Sequence, residues 1–376
     1  MSKPHVLLAA GGTGGHVFPA EALASELMDR GYRLGLVTDK RGKVYGGALG
    51  ELETHHILAG GIAGKRGPAK IKSMMELGLG GWQAWGLLKT LRPDAVIGFG
   101  GYASVPTMLA ATFSPIPTAI HEQNALLGRA NRLLAKRVKA IATSFADTRG
   151  LPQGAGQSVT LTGMPVRASI AAMAGTPYPE TEGDAPLSVL VLGGSQGATV
   201  LSDVVPAALA KLPEDIKARI DVTQQCRAED LDKVKTAYSQ SGLRAHLATF
   251  IDDVPQRMAK AHVVISRAGA STVAEALAVG RPSILVPYPH AADDHQTYNA
   301  HAVDAAGAGW IMPQDTFTPD NLALRLDSLL GLPAVLQKAA RCARDLGRAD
   351  AAKRLADLVA SLIENKTHLK SGSAEL

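Results

Sequence analysis

Two stretches of this chain combine residue types that could hold an anion and move a proton. The first is Gly11-Gly12-Thr13-Gly14-Gly15-His16, which ends a short apolar run and opens a helical pattern. Glycines let a ligand approach the backbone, and the N–H groups at a helix start favour negative charge. The spacing is not the dinucleotide fingerprint, because Val17 stands where the third glycine belongs, and no Lys-Ser/Thr follows as in a Walker loop. His16, on the rim, is placed either as a general base toward a bound hydroxyl or as a cap on its own helix. The second stretch is Ser266-Arg267-Ala268-Gly269-Ala270-Ser271-Thr272-Val273-Ala274-Glu275. It follows an apolar strand and opens a helix. Small residues and hydroxyls there offer donors to a diphosphate with the helix dipole behind them, or form an ordinary capped helix. Glu275, a turn further on, could accept from ribose hydroxyls.

A third polar cluster, 287–299, holds His290, Asp293, Asp294, His295 and Gln296. It reads as a sugar-binding loop or, less simply, as a metal site. No other metal set is suggested. Asp230-Leu231-Asp232, the one Asp-x-Asp, falls in a polar helical stretch and reads as surface charge. Residues 65–91 place Lys65, Arg66, Lys70 and Lys72 around the start of a helical stripe of Ile71, Met74, Met75, Leu79, Trp82, Trp85 and Leu88. Such a stripe either enters an anionic membrane interface or packs on a sheet.

The elements that must position these residues alternate strand and helix. Apolar run 5–10 leads through the first glycine loop into a helix with Ala20, Leu23, Ala24 and Leu27 at helical spacing and Gly31 as its stop. Run 188–192 leads through Gly193-Gly194-Ser195-Gln196-Gly197 into another. Further strands are expected at 33–38, 95–98, 118–121, 140–143, 220–224, 263–266 and 283–287. This is an α/β pattern of two Rossmann-like, doubly wound domains, expected to face each other across a cleft with ligands beyond the carboxyl ends of the strands. The Pro-, Gly- and acid-rich segment 171–186 lies near their boundary. The expected division is 1–164, 165–350 and a C-terminal segment 351–376. Residues 334–364 have a helical pattern, and 365–376 read as a polar, frayed tail.

The chain's 376 residues suit two cores, and its 46% hydrophobic and 19% charged composition excludes a disordered chain. Cys226 and Cys342 stand far apart, which points to a reducing compartment and away from a disulfide framework. The opening apolar run is too short for a secretion signal, and no stretch reaches the roughly 20 apolar residues that cross a bilayer. A cytosolic chain is expected. Residues 1–165 carry 18 Lys and Arg against 10 Asp and Glu, so the net +5 charge is concentrated in the first half. That half suits an anionic partner or is a solvated basic surface. No aromatic-studded nucleic-acid motif accompanies it.

Taken in order, GGTGGHVFPA (11–20), GFGGYAS (98–104), HEQNALLGRANRLLA (121–135), GMPVR (163–167), GGSQGA (193–198), FIDDV (250–254), SRAGASTVAE (266–275) and DDHQTYNA (293–300) resemble one bacterial family. It is that of UDP-N-acetylglucosamine:N-acetylmuramyl-(pentapeptide) pyrophosphoryl-undecaprenol N-acetylglucosaminyltransferases, which form lipid II in peptidoglycan synthesis. The resemblance covers nearly the whole chain. Met164 departs from it, standing where the family has Asn. It implies a GT-B fold, an inverting transfer and no metal or other cofactor. It also implies a UDP-N-acetylglucosamine donor, a polyprenyl-pyrophosphoryl acceptor, an anionic membrane surface at the inner face of the cytoplasmic membrane, and cell-wall assembly partners. Carried over, donor contacts fall on Thr13, Gly14, Gly15, Asn124, Arg167, Ser195, Ile251, Ala270, Ser271, Thr272, Val273, Ala274, Glu275 and Gln296. His16 becomes the base, with Glu122 beside Asn124 orienting acceptor or base. Membrane contact falls on Ile71, Met75, Leu79, Trp82 and Trp85. Two other readings are a UDP-sugar epimerase of related fold and an NAD(P)-dependent oxidoreductase, the latter prompted by the glycine loop and Asp39.

Overall fold

A computed structural model describes residues 3–11, 14–39, 47–61, 66–153, 157–181, 183, 185–194 and 197–372, with side chains to 365. Thr13, Ser195 and Lys65, named above, lie outside the described residues. The chain divides into two compact units, 1–167 with 350–376, and 168–349. Residues 165–167 therefore belong with the first unit, three residues beyond the boundary drawn from sequence.

The first unit is built on seven parallel strands: β1 (His5–Ala9), β2 (Arg33–Asp39), β3 (Glu53–Ile57), β4 (Ala95–Gly98), β5 (Thr118–Glu122), β6 (Ala140–Thr143) and β7 (Ser158–Leu161). Their spatial order is β3-β2-β1-β4-β5-β6-β7. Alternation along β1 splits the core: Val6 and Leu8 face one side, Leu7 and Ala9 the other. On the first side pack Ala20, Leu23 and Leu27 of the helix Gly14–Asp29, with Leu355, Ala356 and Val359 of the helix Ala351–Gly372. Arg30 ties the two helices by a 2.6 Å ion pair to Asp357. The chain thus returns to its first unit to complete that layer. The helical pattern at 334–364 proves to be two helices, Pro333–Leu346 and Ala351–Gly372. The second continues through 365–372, where a frayed tail was expected.

The second unit repeats the plan with β8 (Leu187–Leu192), β9 (Ile220–Gln225), β10 (Arg244–Ala248), β11 (Val263–Ser266), β12 (Ser283–Leu285) and β13 (Gly309–Ile311), all parallel in the order β10-β9-β8-β11-β12-β13. In each sheet the winding reverses between two neighbouring strands, β1 and β4 in the first, β8 and β11 in the second. Loops leaving those strands diverge to opposite faces and open a crevice at the carboxyl edge, where ligands of such sheets bind. The glycine loop after β1 and the 266–275 stretch after β11 both sit at these reversals.

Candidate active site

In the first unit the helix Gly14–Asp29 starts directly beyond the loop at the switch point, so His16 lies in its first turn. The imidazole packs on the turn that follows β4. A Cβ added to Gly100 would lie 3.3 Å from His16 Cε1, and one added to Gly101 would lie 3.3 Å from Cδ2. Both glycines also hold positive φ, 81° and 72°. Two residues without side chains thus make the seat for the ring. They stand in the GFGGYAS motif, but only the strand order reveals that His16 meets them.

Behind this seat lies a buried polar network. His121 is fully buried at the end of β5, and its Nε2 lies 3.1 Å from the Gly163 carbonyl while Gln123 Nε2 lies 3.2 Å from its Nδ1. A carbonyl only accepts and an amide nitrogen only donates, so the hydrogen sits on Nε2 and the ring is neutral. Burial pulls its pKa down to about 4, with the nearby His16 acting in the same direction and the Gly163 bond opposing. The unfolded chain therefore binds a proton that the folded chain refuses between pH 6.5 and 4. Stability is complete above pH 6.5 and falls as pH drops through that window, by up to about 3 kcal/mol. Urea denaturation at pH 7.5, 5.5 and 4.5 should show this slope, reduced in His121→Gln; equal slopes in the two proteins would remove the assignment.

Glu122 is buried beside it, and its carboxylate is occupied. Oε1 accepts from the backbone N–H and Nδ2 of Asn124 (3.0 and 3.2 Å), Oε2 from the Gly128 N–H and Asn131 Nδ2 (2.8 Å each). The carboxylate therefore fixes loop 124–131 through four donors. Gln123 and Asn131, which the sequence did not single out, complete this scaffold: Gln123 Nε2 donates to the Phe99 carbonyl at 2.9 Å, and Asn131 Nδ2 to that of His121 at 3.1 Å. Arg167 reaches the same helix start, with its guanidinium 5.8 Å from the centre of the Phe18 ring. Met164 is buried, so an apolar contact occupies the position where the family's amide was expected.

In the second unit, beyond β8, the Gly197 N–H donates to the Gly194 carbonyl at 3.0 Å. Across the switch point, the helix Ala270–Val279 begins at Gly269 with no side-chain cap. Ser271, Thr272 and Ala274 are half-buried there, while Ala270, Val273 and Glu275 turn inward. Asn299 Nδ2 holds the preceding turn through the Ala268 carbonyl at 3.0 Å. Arg267 braces the next loop, donating to the carbonyls of Val286 and Pro287 and to Gln314 Oε1 (2.7 Å). Gln296 is fixed by the Tyr288 N–H, which donates to its Oε1 at 2.9 Å, and the Ile251 side chain is buried in the loop after β10.

Three other expectations change. Among the described residues no three His, Cys, Asp or Glu gather as a metal-ligand set, and the segment passes through a 3-10 turn, Ala292–Asp294, into the helix His295–Ala305. Asp230 is buried and only Asp232 is surface charge. Of the stripe on the helix Pro68–Leu91, only Leu88 packs inward, alongside Ser73, Gly80 and Ala84. Ile71, Met75 and Trp82 are 62, 64 and 77% exposed, and Met74, Leu79 and Trp85 are exposed with them.

Residues 6–143 match the glycosyltransferase family 28 N-terminal domain, and residues 188–355 its C-terminal domain. A protein of Paramagnetospirillum magneticum named UDP-N-acetylglucosamine--N-acetylmuramyl-(pentapeptide) pyrophosphoryl-undecaprenol N-acetylglucosamine transferase is 60% identical over 97% of this chain and 98% of its own length. One of the same name from Rhodospirillum rubrum is 55% identical over 96 and 93%. The crystal structure of Acinetobacter baumannii MurG superposes with a TM-score of 0.78 at 30% identity, covering 95% of this chain and 99% of that one. A UDP-GlcNAc 2-epimerase of Neisseria meningitidis (TM-score 0.63, 15% identity) shares the fold alone. With a match to its named members along nearly its whole length, the chain belongs to the family of UDP-N-acetylglucosamine--N-acetylmuramyl-(pentapeptide) pyrophosphoryl-undecaprenol N-acetylglucosamine transferases, glycosyltransferases of family 28 with the GT-B fold.

Proposed function

We propose that this chain transfers N-acetylglucosamine from UDP-N-acetylglucosamine to the 4-hydroxyl of the N-acetylmuramyl unit on undecaprenyl pyrophosphate, forming lipid II. The observation that carries this reading is the pair of switch points: one unit seats an imidazole at its glycine loop, and the other presents an uncapped helix start lined by small residues and hydroxyls. His16 takes the proton of the acceptor hydroxyl as that oxygen attacks the anomeric carbon with inversion. The bond to the diphosphate oxygen breaks, and UDP leaves with its charge met by the N–H groups and hydroxyls of 270–275. Thr13, Gly14, Gly15, Asn124, Arg167 and Ser195 contact the donor with them. Glu275 holds the ribose, Ile251 meets the uracil through its backbone, and Gln296 completes the site. The first unit serves the acceptor and the second the nucleotide. Incubation of the enzyme with labelled UDP-N-acetylglucosamine and a lipid I analogue should yield a labelled disaccharide lipid and free UDP. Release of an epimerised sugar nucleotide without any lipid product would favour the epimerase instead.

The acceptor's lipid requires a membrane, and no helix among the described residues is long and apolar enough to cross one. The helix Pro68–Leu91 supplies a surface contact in its place. Its outward Ile71, Met75, Leu79, Trp82 and Trp85 enter the interface of the cytoplasmic leaflet, while Arg66, Lys70 and Lys72 meet anionic headgroups. Replacing Ile71, Met75 and Trp82 together by Ser should abolish sedimentation with phosphatidylglycerol vesicles and leave turnover of a short-chain soluble acceptor within about twofold, since no core contact is lost. Undiminished vesicle binding would dismiss the contact.

A further inference from the structure

Arg281 is fully buried, the largest side chain so enclosed, and no carboxylate among the described residues pairs with it. Its guanidinium is spent on backbone carbonyls. Nε and Nη2 donate to Ala259 (3.2 and 2.6 Å), Nη1 to Val279 and Gly280 (2.9 and 3.2 Å), and Nη2 also to Pro177 (2.9 Å). Ala259 lies in the last turn of the helix Val254–Lys260, and Val279 and Gly280 end the helix Ala270–Val279. Burial lowers the pKa of this group to about 10, which leaves it a cation at neutral pH. A second cation lies beside it: a Cβ added to Gly280 would come within 3.2 Å of Arg344 Nε.

An enclosed charge without a counter-ion is costly unless something takes the counter-ion's place. Here the negative ends of two helix dipoles do so. The other ends of the same two helices follow Ile251 and carry 270–275, the base and diphosphate positions proposed above. We infer that Arg281 is a remote electrostatic determinant of nucleotide affinity, its charge at the C-terminal ends of both helices favouring the diphosphate while leaving the nucleoside part unaffected. This rests on the donor-site reading. Ten helical residues span about 15 Å. A unit charge acting on a dianion over that distance changes its affinity about 3-fold in water-like surroundings and about 40-fold at an effective dielectric constant of 20.

Calorimetric titration of the full chain with UDP and with uridine, at low and high salt, tests this. In Arg281→Gln, which keeps a donor but not the charge, Kd for UDP should rise roughly five- to tenfold, with Kd for uridine within about twofold. Arg281→Lys, which keeps the charge, should retain UDP affinity within about twofold. A parallel loss of UDP and uridine in Arg281→Gln would make the residue only a clamp and overturn the inference, as would unchanged UDP affinity. If Arg281→Gln does not fold, the exposed Arg344→Glu, which reverses the charge at the same helix end, decides. A UDP-specific loss of about fourfold at low salt that vanishes in high salt supports the inference, and a change within about twofold at both salts overturns it. Absence of UDP binding by the wild-type chain would instead overturn the donor-site reading.

Discussion

Replacing His16 by alanine is expected to lower turnover about 10²- to 10⁴-fold, the range that a positioned general base contributes. Kd for UDP should stay within about twofold. The argument is one of separate supports. The imidazole stands on Gly100 and Gly101, held by β4 and its own helix, whereas the proposed nucleotide contacts gather chiefly on β8, β10 and β11 of the second unit. Removing the ring deletes a proton acceptor and disturbs no core residue. Single-turnover rates with saturating donor, together with UDP titration, separate the two effects. Retained turnover would exclude His16 as the base. An equal loss of UDP affinity would make it a binding residue.

Replacing Glu122 by alanine should cost about 3 kcal/mol of stability, because four donors on a buried loop lose their acceptor at once. For a unit of this size that lowers the melting temperature by roughly 10 °C. Glu122→Gln should be only partly better, since its amide nitrogen would confront either the Asn124 pair or the Gly128 and Asn131 pair of donors. Turnover should fall by more than about tenfold in both variants as Asn124 loses its anchor. Asn124→Ala, by contrast, should lose turnover at nearly unchanged melting temperature. A Glu122→Ala protein melting with the wild type would show that the loop is held by other means.

Interior strands announce themselves and edge strands do not. The runs HVLLA, AVIG, AIAT, LSVLVL and VVIS are buried on both faces and read as continuous apolar segments. The four strands not singled out from sequence, β3, β7, β10 and β13, are the outer edges of the two sheets. ETHHI, SVTL, RAHLA and GWI are each exposed or half-buried along most of their length, so they carry too little apolar signal to separate them from loop. The same asymmetry explains the C-terminal helix. Its polar residues beyond 364 looked like tail because the apolar residues that meet the core, Leu355, Ala356, Leu358, Val359, Leu362 and Ile363, all precede them.

The sequence by itself determined the α/β class, the two glycine-bearing openings, His16 and the 266–275 helix start, because strand–loop–helix transitions and anion-binding turns are local and written in adjacent residues. Only the tertiary structure decided which strands lie at the switch points, that Gly100 and Gly101 seat His16, that Glu122 locks a loop, and that the 71–85 stripe faces outward. Each of these depends on residues brought together from distant parts of the chain. Helical spacing shows that a stripe exists, but the side that receives it is chosen by the small residues Ser73, Gly80 and Ala84, which let the opposite face of the helix pack closely.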